Sequence, residues 1–245
     1  MQTLTLSASR ITALFKCPRN YAHNYESKLV PTGYSPAMTR GNFVHAGLEM
    51  FYKGDVVNLD KAWESATESL AGLPLTSSDM EQLDKINSLG CAMLEAYIQL
   101  HEDELKHITV LDVEKSYEFP YIKEYKPLNC AVNLLGKIDL VYHDNRTDDV
   151  IVMDHKTFSR VTDGMVDKLS MDLQLNLYVW LLNQAGIKPV MAAYNILAVS
   201  QIRHKKGQTK EAYIHELKTR YAKGEYFNRL NVFIDQKHTY EFEDE

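Results

Sequence analysis

The chain has 245 residues, of which 45% are hydrophobic and 24% are charged, so it can fold around a substantial core and is not a candidate for an intrinsically disordered protein. Its formal net charge of −6 counts against a protein that binds nucleic acid through a strongly basic surface. A divalent cation or a local basic groove could still supply the positive charge that phosphates need.

The cysteines and the lack of long apolar runs indicate the cellular compartment in which the protein is expected to work. Cys17, Cys91 and Cys130 are widely spaced and odd in number, which predicts neither a disulfide framework nor a cysteine-ligated zinc site. The first residues lack the basic start and apolar run of a secretory signal peptide, and no run of about 18 apolar residues would span a membrane. We therefore expect a cytoplasmic protein with reduced thiols and no membrane contact.

Capping residues and the spacing of apolar side chains predict that the first 106 residues are mainly helical. Ser9 is a suitable N-cap, Pro18 is typical of a first helical residue, and Gly54 is typical of a residue that ends a helix. Ser78 and Glu81 match a capping box. The predicted helices are a segment ending at Phe15, a segment beginning at Pro18, and segments over about 38–53, about 60–70 and about 78–105.

After residue 106 the sequence is rich in valine, isoleucine, leucine and aromatic residues, which is typical of strands. The polar residues 144–148 predict a turn, so 136–143 and 150–155 are expected to pair as a hairpin. The predicted elements are strands over 107–119 and 129–142, the second hairpin strand, a helix over about 170–184, a strand over 191–198 and a helix over about 211–223. This order predicts an α/β fold with an N-terminal helical portion.

Two acidic residues and a lysine are expected to converge at this hairpin. Side chains alternate between the two faces of a strand, so Asp154 and Lys156 point to one face and His155 to the other. The paired strand can bring Asp139 onto the face of Asp154. Facing carboxylates repel each other, and oxygen ligands of this kind suit Mg²⁺ or Mn²⁺, so the pattern indicates a divalent-metal site beside an ammonium group. The alternative interpretation of these charges is a solvated strand face.

Residues outside the hairpin could complete this site. Gln174 and Tyr178 share one helical face and could hold Lys156, a water or a phosphate, although a surface glutamine beside a core tyrosine is the alternative. His45 could supply one imidazole to the metal or could be structural. Glu114 is interpreted first as an exposed strand residue, and second as a further acidic group near the site.

Five short segments, taken in order, resemble motifs of the RecB-like branch of the PD-(D/E)xK nuclease superfamily. Each motif is weak alone, but their shared order favours the family strongly. They are Ser7–Ile11 with Phe15–Arg19, the G-x-x-x-H of Gly41–His45, the G-x-x-D of Gly136–Asp139, the D-x-K of Asp154–Lys156 and the Q-x-x-x-Y of Gln174–Tyr178.

The resemblance implies a restriction-endonuclease-like core, with a small mixed central sheet flanked by helices. It further implies a single nuclease domain over residues 1–245. In that domain, 1–106 form the mainly helical N-terminal portion and 107–245 form the catalytic core.

The resemblance also implies roles for individual residues. His45, Asp139, Asp154 and the main-chain carbonyl of His155 are expected to bind the metal. The catalytic set is expected to comprise Asp139, Asp154, Lys156, Gln174 and Tyr178. We expect the arginines that flank the N-terminal motifs to contact DNA phosphates, namely Arg10, Arg19 and Arg40.

By the same resemblance the chain is expected to be a Mg²⁺- or Mn²⁺-dependent DNA nuclease, and more narrowly a stand-alone, phage-type exonuclease. It would act in DNA recombination, repair or phage DNA metabolism, in the cytoplasm of a bacterium or of a phage-infected host. Its partner would be DNA, with a recombination or replication protein as a further partner. An iron–sulfur cluster is not expected, because Cys17 matches the first ligand of cluster-bearing relatives but no cysteine follows Cys130.

Two alternatives remain open. The chain could be a non-catalytic module that keeps the nuclease fold and binds DNA or a partner. It could also be a different metallohydrolase whose ligands are His45 and Glu49, which are four residues apart on one helix.

Overall fold

The computed structural model describes residues 2–29, 34–126, 129–158 and 171–234, and six strands of these residues form one mixed sheet with helices on both faces. The strands are β1 (Gln2–Leu6), β2 (Ile108–Tyr125), β3 (Cys130–Asp144), β4 (Asp149–Phe158), β5 (Met191–Ala198) and β6 (Phe227–Phe233). The helices are α1 (Ala8–Lys16), α2 (Pro18–Tyr21), α3 (Pro36–Tyr52), α4 (Leu59–Thr67), α5 (Ser77–His101), α6 (Leu173–Gln184) and α7 (Lys210–Tyr221). The expected α/β class, with a small mixed sheet flanked by helices, is confirmed.

The order of strands leaves an opening beside the middle of β3. Along one edge, β3 pairs antiparallel with β2. Along its other edge, residues 130–134 pair in parallel with β1, and residues 140–144 pair antiparallel with β4. Residues 135–139 therefore have no strand partner on that edge among the described residues. The sheet continues from β4 to β5 in parallel and from β5 to β6 antiparallel.

Alternation along the inner strands divides the core between the two faces of the sheet. One buried cluster joins strand residues such as Leu140 and Met153 to helices α3, α4, α5 and α7. The other joins strand residues such as Val141 and Val152 to α6, with Ala8 of α1 at its margin. Helix α3 therefore lies on one face and α6 on the other, and the opening beside β3 lies between them. No helix of the described residues is both long and apolar enough to cross a bilayer.

Two helix starts differ from the sequence-based expectation, because the capping residue lies further upstream. The N-cap of α1 is Ser7 rather than Ser9, and its hydroxyl accepts a hydrogen bond from the amide of Arg10. The capping box of α5 is formed by Thr76 and Asp79, whose side chains and amides bond reciprocally. The start expected for α6 near residue 170 lies outside the described residues, and the described helix begins at Leu173.

Helices α3 and α5 approach closely through glycines. A Cβ atom on Gly47 would lie 2.5 Å from Cδ1 of Leu94, and a Cβ on Gly90 would overlap the ring of Phe43. Both neighbours are fully buried, so neither can move into solvent. The two glycines therefore set the distance between these helices.

We expect Gly47→Ala to lower the free energy of unfolding by about 1–3 kcal/mol, because overpacking a dense interior costs more than the helix gains from alanine. Gly41→Ala is the matched control in the same helix, since its Cβ would meet only Oγ1 of Thr157 at 4.0 Å. The control should be neutral or stabilising in chemical denaturation. Equal stability of the two variants would contradict the packing interpretation.

Candidate active site

The side chains of β4 divide between the two faces as the alternation predicts. On the α6 side, Oδ1 of Asp154 accepts a hydrogen bond of 2.8 Å from Nε2 of Gln174. On the same side, Nζ of Lys156 lies 2.5 Å from Oδ2 of Asp154. On the α3 side, the ring of His155 stacks on Tyr52 at a centroid distance of 5.5 Å. The acid and the lysine of the D-x-K segment therefore face α6 together.

Gln174 connects three groups of the site through its amide. Its Oε1 accepts a hydrogen bond of 3.0 Å from Nζ of Lys156. Its Nε2 donates to Asp154 and, at 2.7 Å, to the hydroxyl of Tyr178. A single uncharged side chain thus fixes the positions of an ammonium, a carboxylate and a phenol.

Tyr178 ties α6 to the opening beside β3. Its hydroxyl donates a hydrogen bond of 2.7 Å to the carbonyl of Lys137, one of the residues without a strand partner on that edge. The ring lies over Gly136, where a Cβ atom would be 3.0 Å from Cε1 of Tyr178 and 2.6 Å from Cδ1 of Leu181. Only glycine at position 136 lets the tyrosine reach this carbonyl without a shift of the helix.

Asp139 lies where β3 and β4 separate. Pairing between these strands ends at Leu140 and Met153, one residue before Asp139 and Asp154 would face each other. Oδ2 of Asp139 accepts a hydrogen bond of 2.7 Å from the amide of His155, and it lies 3.5 Å from Nδ1 of His45 on α3. Its carboxylate therefore lies in the opening between the strands, close enough to Asp154 for the charge of that residue to raise its pKa.

Glu114 belongs to this cluster, which corrects the interpretation of an exposed strand residue. Its side chain is only 11% exposed and contacts Nδ1 of His45 at 3.5 Å and Nζ of Lys137 at 2.5 Å. Its φ is +51°, a conformation that costs energy in a residue with a Cβ and that occurs preferentially at functional sites. The register places it opposite Asp139, between the pairs Val113–Leu140 and Lys115–Ile138. The sequence alone does not give this register, so it could not place Glu114 in the cluster.

The buried acids repel each other. Burial, followed by the charge of Asp154, raises the pKa of Asp139 to about 7. Burial also raises the pKa of Asp154, although its ion pair with Lys156 opposes that change. A positive charge placed between these carboxylates would relieve the repulsion.

Glu114 and His45, in contrast, have surroundings that favour their ionised forms. Burial raises the pKa of Glu114, but hydrogen bonds from His45 and Lys137 outweigh it and bring the pKa to about 2. For His45, burial lowers the pKa, while Glu114 and the charges of Asp139 and Asp154 raise it further than burial lowers it. The imidazolium form of His45 therefore partly neutralises the acids when no cation is bound.

The donor atoms fit a divalent cation that binds through oxygen and one imidazole. Ligand atoms of His45, Glu114 and Asp139 all lie within 4.8 Å of one another. Two ligands at right angles on a cation with bonds of about 2.1 Å lie about 3 Å apart, and Nε2 of His45 is 2.9 Å from the carbonyl oxygen of His155. Carboxylates beside one imidazole suit Mn²⁺ or Mg²⁺.

The raised pKa of Asp139 predicts how stability depends on pH in the metal-free protein. The pKa of an unfolded aspartate is about 3.9, so the folded state holds its proton more tightly and loses stability as pH rises from about 4 to about 7. Asp139→Asn removes this loss, so in chelator the variant should be more stable than wild type at pH 8, by on the order of a few kcal/mol. Chemical denaturation at pH 8 and pH 5 checks this, because the difference should shrink at pH 5. A difference independent of pH would contradict the assignment.

The three arginines expected to contact DNA differ in their surroundings. Arg10 donates a hydrogen bond of 2.6 Å to the carbonyl of Thr5 and lies over the ring of Tyr25, so it joins β1 to the helices that follow. Arg19 is exposed on α2. Arg40 on α3 is half-buried, its Nε has no hydrogen-bond partner among the described residues, and burial lowers its pKa.

A groove of about 810 Å³ leads from α1 to the site. Gly136, Gln174 and Tyr178 line its inner end. Its other lining residues include polar side chains of the N-terminal segment, namely Ser7, Ser9, Thr12, Lys16 and Asn20. The groove therefore extends from the N-terminal motif, which begins at Ser7, to the Q-x-x-x-Y motif of Gln174 and Tyr178.

The alternative metal site on α3 is not favoured. Oε1 of Glu49 pairs with Nζ of Lys53 at 2.6 Å, one turn further along the helix. The acids that approach His45 come instead from β2 and β3, namely Glu114 and Asp139. The candidate ligands therefore come from α3, β2 and β3, and not from two positions one turn apart on α3.

Comparison with known proteins gives a family match over nearly the whole chain. A family model described as the PD-(D/E)XK nuclease superfamily matches residues 5–243. Among solved structures, a candidate exonuclease from Eubacterium rectale is similar, with 14% identity and a TM-score of 0.44 over 98% of this chain and 90% of the other. No curated protein matches the chain.

Proposed function

Because the chain belongs to the PD-(D/E)XK nuclease superfamily, we propose that this nuclease is a Mg²⁺- or Mn²⁺-dependent deoxyribonuclease that digests DNA from its ends. The observation that carries the proposal is the convergence of Asp139, Asp154 and Lys156 at the opening between β3 and β4, with His45 supplied from α3. A non-catalytic relative would have no need for two buried acids with raised pKa values beside a lysine.

The residues that would hold the cation are His45, Asp139 and the main-chain carbonyl of His155. The acids next to these three ligands are Glu114 and Asp154. A bound divalent cation supplies Lewis-acid polarisation of a phosphate oxygen and lowers the pKa of a water. The surrounding chain keeps these donors in place before substrate arrives, because each makes a contact with another member of the set.

Lys156 supplies the ammonium group of the proposed reaction. Its Nζ is held by Asp154 and Gln174, yet its side chain remains 28% exposed. An ammonium in this position can donate a hydrogen bond to the attacking water or to a phosphate oxygen, where it stabilises the negative charge that develops. Gln174 keeps this ammonium directed, and Tyr178 keeps Gln174 directed.

The groove between α1 and α6 is the proposed path of one DNA strand. It ends at Gln174 and Tyr178, and Lys16 at its rim can approach a phosphate. Arg19 and Arg40 are the arginines we propose for further phosphate contacts, since Arg10 is already engaged by Thr5. A path limited to one side of the molecule suits the acidic net charge, because only a local basic lining is required.

In the cell, we place this activity in the cytoplasm of a bacterium or a phage-infected host, in recombination, repair or phage DNA metabolism. The resemblance to RecB-like nucleases supports this assignment. A recombination or replication protein would deliver the DNA end.

Digestion of labelled DNA tests the proposal. Linear duplex, linear single-stranded and closed circular DNA would each be incubated with Mg²⁺, Mn²⁺ or chelator. We expect metal-dependent release of nucleotides from linear DNA and little loss of circular DNA. Equal digestion of circular DNA would refute the requirement for an end, and undiminished digestion in chelator would refute the metal site.

A further inference from the structure

A chain of buried polar side chains lies on the α3 side of the sheet, directly behind the D-x-K segment. Nδ2 of Asn195 is 3.0 Å from Nδ1 of His155 and donates a hydrogen bond of 2.9 Å to the hydroxyl of Tyr97. The hydroxyls of Tyr97 and Tyr52 lie 2.6 Å apart. Asn195 is 2% exposed and His155 is 3% exposed, so this chain of contacts is shielded from bulk solvent.

Asn195 and His155 are direct neighbours in the parallel register of β4 and β5. An amide nitrogen can only donate, so Nδ1 of His155 is the acceptor and the imidazole is neutral. Burial favours the same form, because it drives the pKa of this imidazole well below its ordinary value. The ring is fixed from two directions, by the amide of Asn195 and by the face of Tyr52.

The main chain of His155 carries two polar groups of the site. Its amide donates to Oδ2 of Asp139, and its carbonyl lies 2.9 Å from Nε2 of His45. β3 has already separated from β4 at this point, so within the described ranges β4 has a neighbouring strand only on the side of β5. The orientation of this peptide therefore depends on the side chain that anchors residue 155.

We propose that Asn195 is a positioning residue that acts through His155. By fixing the ring, it holds the amide that orients Asp139 and the carbonyl that offers a ligand to the divalent cation. This inference rests on the proposed metal-dependent function. If Asn195 and His155 served only to fill the core, two apolar side chains at these strand positions would serve equally well. Replacing buried polar contacts with apolar groups of similar volume is often neutral for stability.

Asn195→Leu separates the positioning role from packing, because leucine keeps the branched arrangement of side-chain heavy atoms of asparagine and lacks the donor. We expect this variant to keep its fold while its affinity for Mn²⁺ falls about 10- to 100-fold, the range found when a residue that orients a metal ligand is removed. Mn²⁺ binding to the full chain without DNA would be measured by electron paramagnetic resonance. Cleavage should require more Mn²⁺ but recover most of its maximal rate at saturation.

Tyr52→Phe is the matched control, because it disturbs the same buried chain but keeps the ring that stacks on His155. It should lose some stability and keep wild-type affinity for Mn²⁺. If Asn195→Leu fails to fold, Asn195→Ala provides the second test with the same expected loss of affinity.

The outcomes distinguish this inference from the proposed function. Wild-type Mn²⁺ affinity in a folded Asn195 variant, or an equal loss in Tyr52→Phe, overturns the positioning role and leaves the nuclease proposal intact. Failure of the wild-type protein to bind Mn²⁺ overturns both.

Discussion

Lys156→Ala is expected to reduce the rate of DNA cleavage by about a thousandfold while the affinity for Mn²⁺ stays within a few-fold of wild type. The reduction is the size observed when a charge-stabilising donor or a general acid–base group is removed. The ammonium pairs with Asp154 and Gln174, and a protonated amine has no lone pair to offer a cation. Single-turnover cleavage of end-labelled DNA at saturating metal is the appropriate measurement.

Two further variants separate charge from geometry at this position. Lys156→Arg keeps the positive charge, but a planar guanidinium cannot reproduce the contacts of an ammonium with both partners. It should therefore remain severely impaired. Lys205→Ala, in an exposed loop, is the control for a general loss of positive charge and should cleave nearly normally. Cleavage by Lys156→Ala at the rate of this control would remove the lysine from the mechanism.

Asp139→Asn is expected to lower Mn²⁺ affinity at least tenfold and cleavage at limiting metal by about a hundredfold or more. The substitution keeps an oxygen that can accept the amide of His155, so the local fold should persist. It removes one of the three carboxylate charges that would attract the cation, those of Glu114, Asp139 and Asp154. Titration calorimetry with Mn²⁺ and cleavage assays across metal concentrations measure the two effects together.

Asp148→Asn is the control for this experiment. Asp148 lies in the turn between β3 and β4 with a φ of +62°, a conformation that asparagine adopts readily. It removes one carboxylate from the same hairpin without touching the cluster. If the Asp139 and Asp148 variants bind Mn²⁺ equally well, Asp139 is not a ligand.

The sequence predicts the helices and the hairpin because their signals are local. Alternation along β4 places Asp154 and Lys156 on one face and His155 on the other, and four-residue spacing places Gln174 and Tyr178 on one side of α6. These relations depend on the geometry of a single element.

What the sequence does not predict depends on contacts between distant segments. β1 and β6 are short strands, and their partners lie far away in the sequence, so no local signal indicates which strand each one joins. The burial of Glu114 depends on the β2–β3 register and on a positive φ that no local signal favours in glutamate. The position of Asp139 depends on where β3 and β4 separate.

Asn195 illustrates the same limit within a correctly predicted strand. The bounds 191–198 follow from composition, but the significance of one polar residue among buried apolar ones appears only when β5 is paired with β4. Its partner, His155, is the residue of the D-x-K segment that faces away from the lysine. The contact with His155 on β4 thus explains why a buried asparagine lies on β5.

The most direct test of the account is a crystal structure of the wild-type protein soaked in Mn²⁺, with diffraction data collected to reveal manganese by its anomalous signal. We expect the strongest peak in the opening between β3 and β4, within bonding distance of His45, Asp139 and the carbonyl of His155. A manganese-free opening in crystals of protein that still degrades DNA, or a peak bound elsewhere on the chain, would contradict the assignment of this cluster as the catalytic metal site.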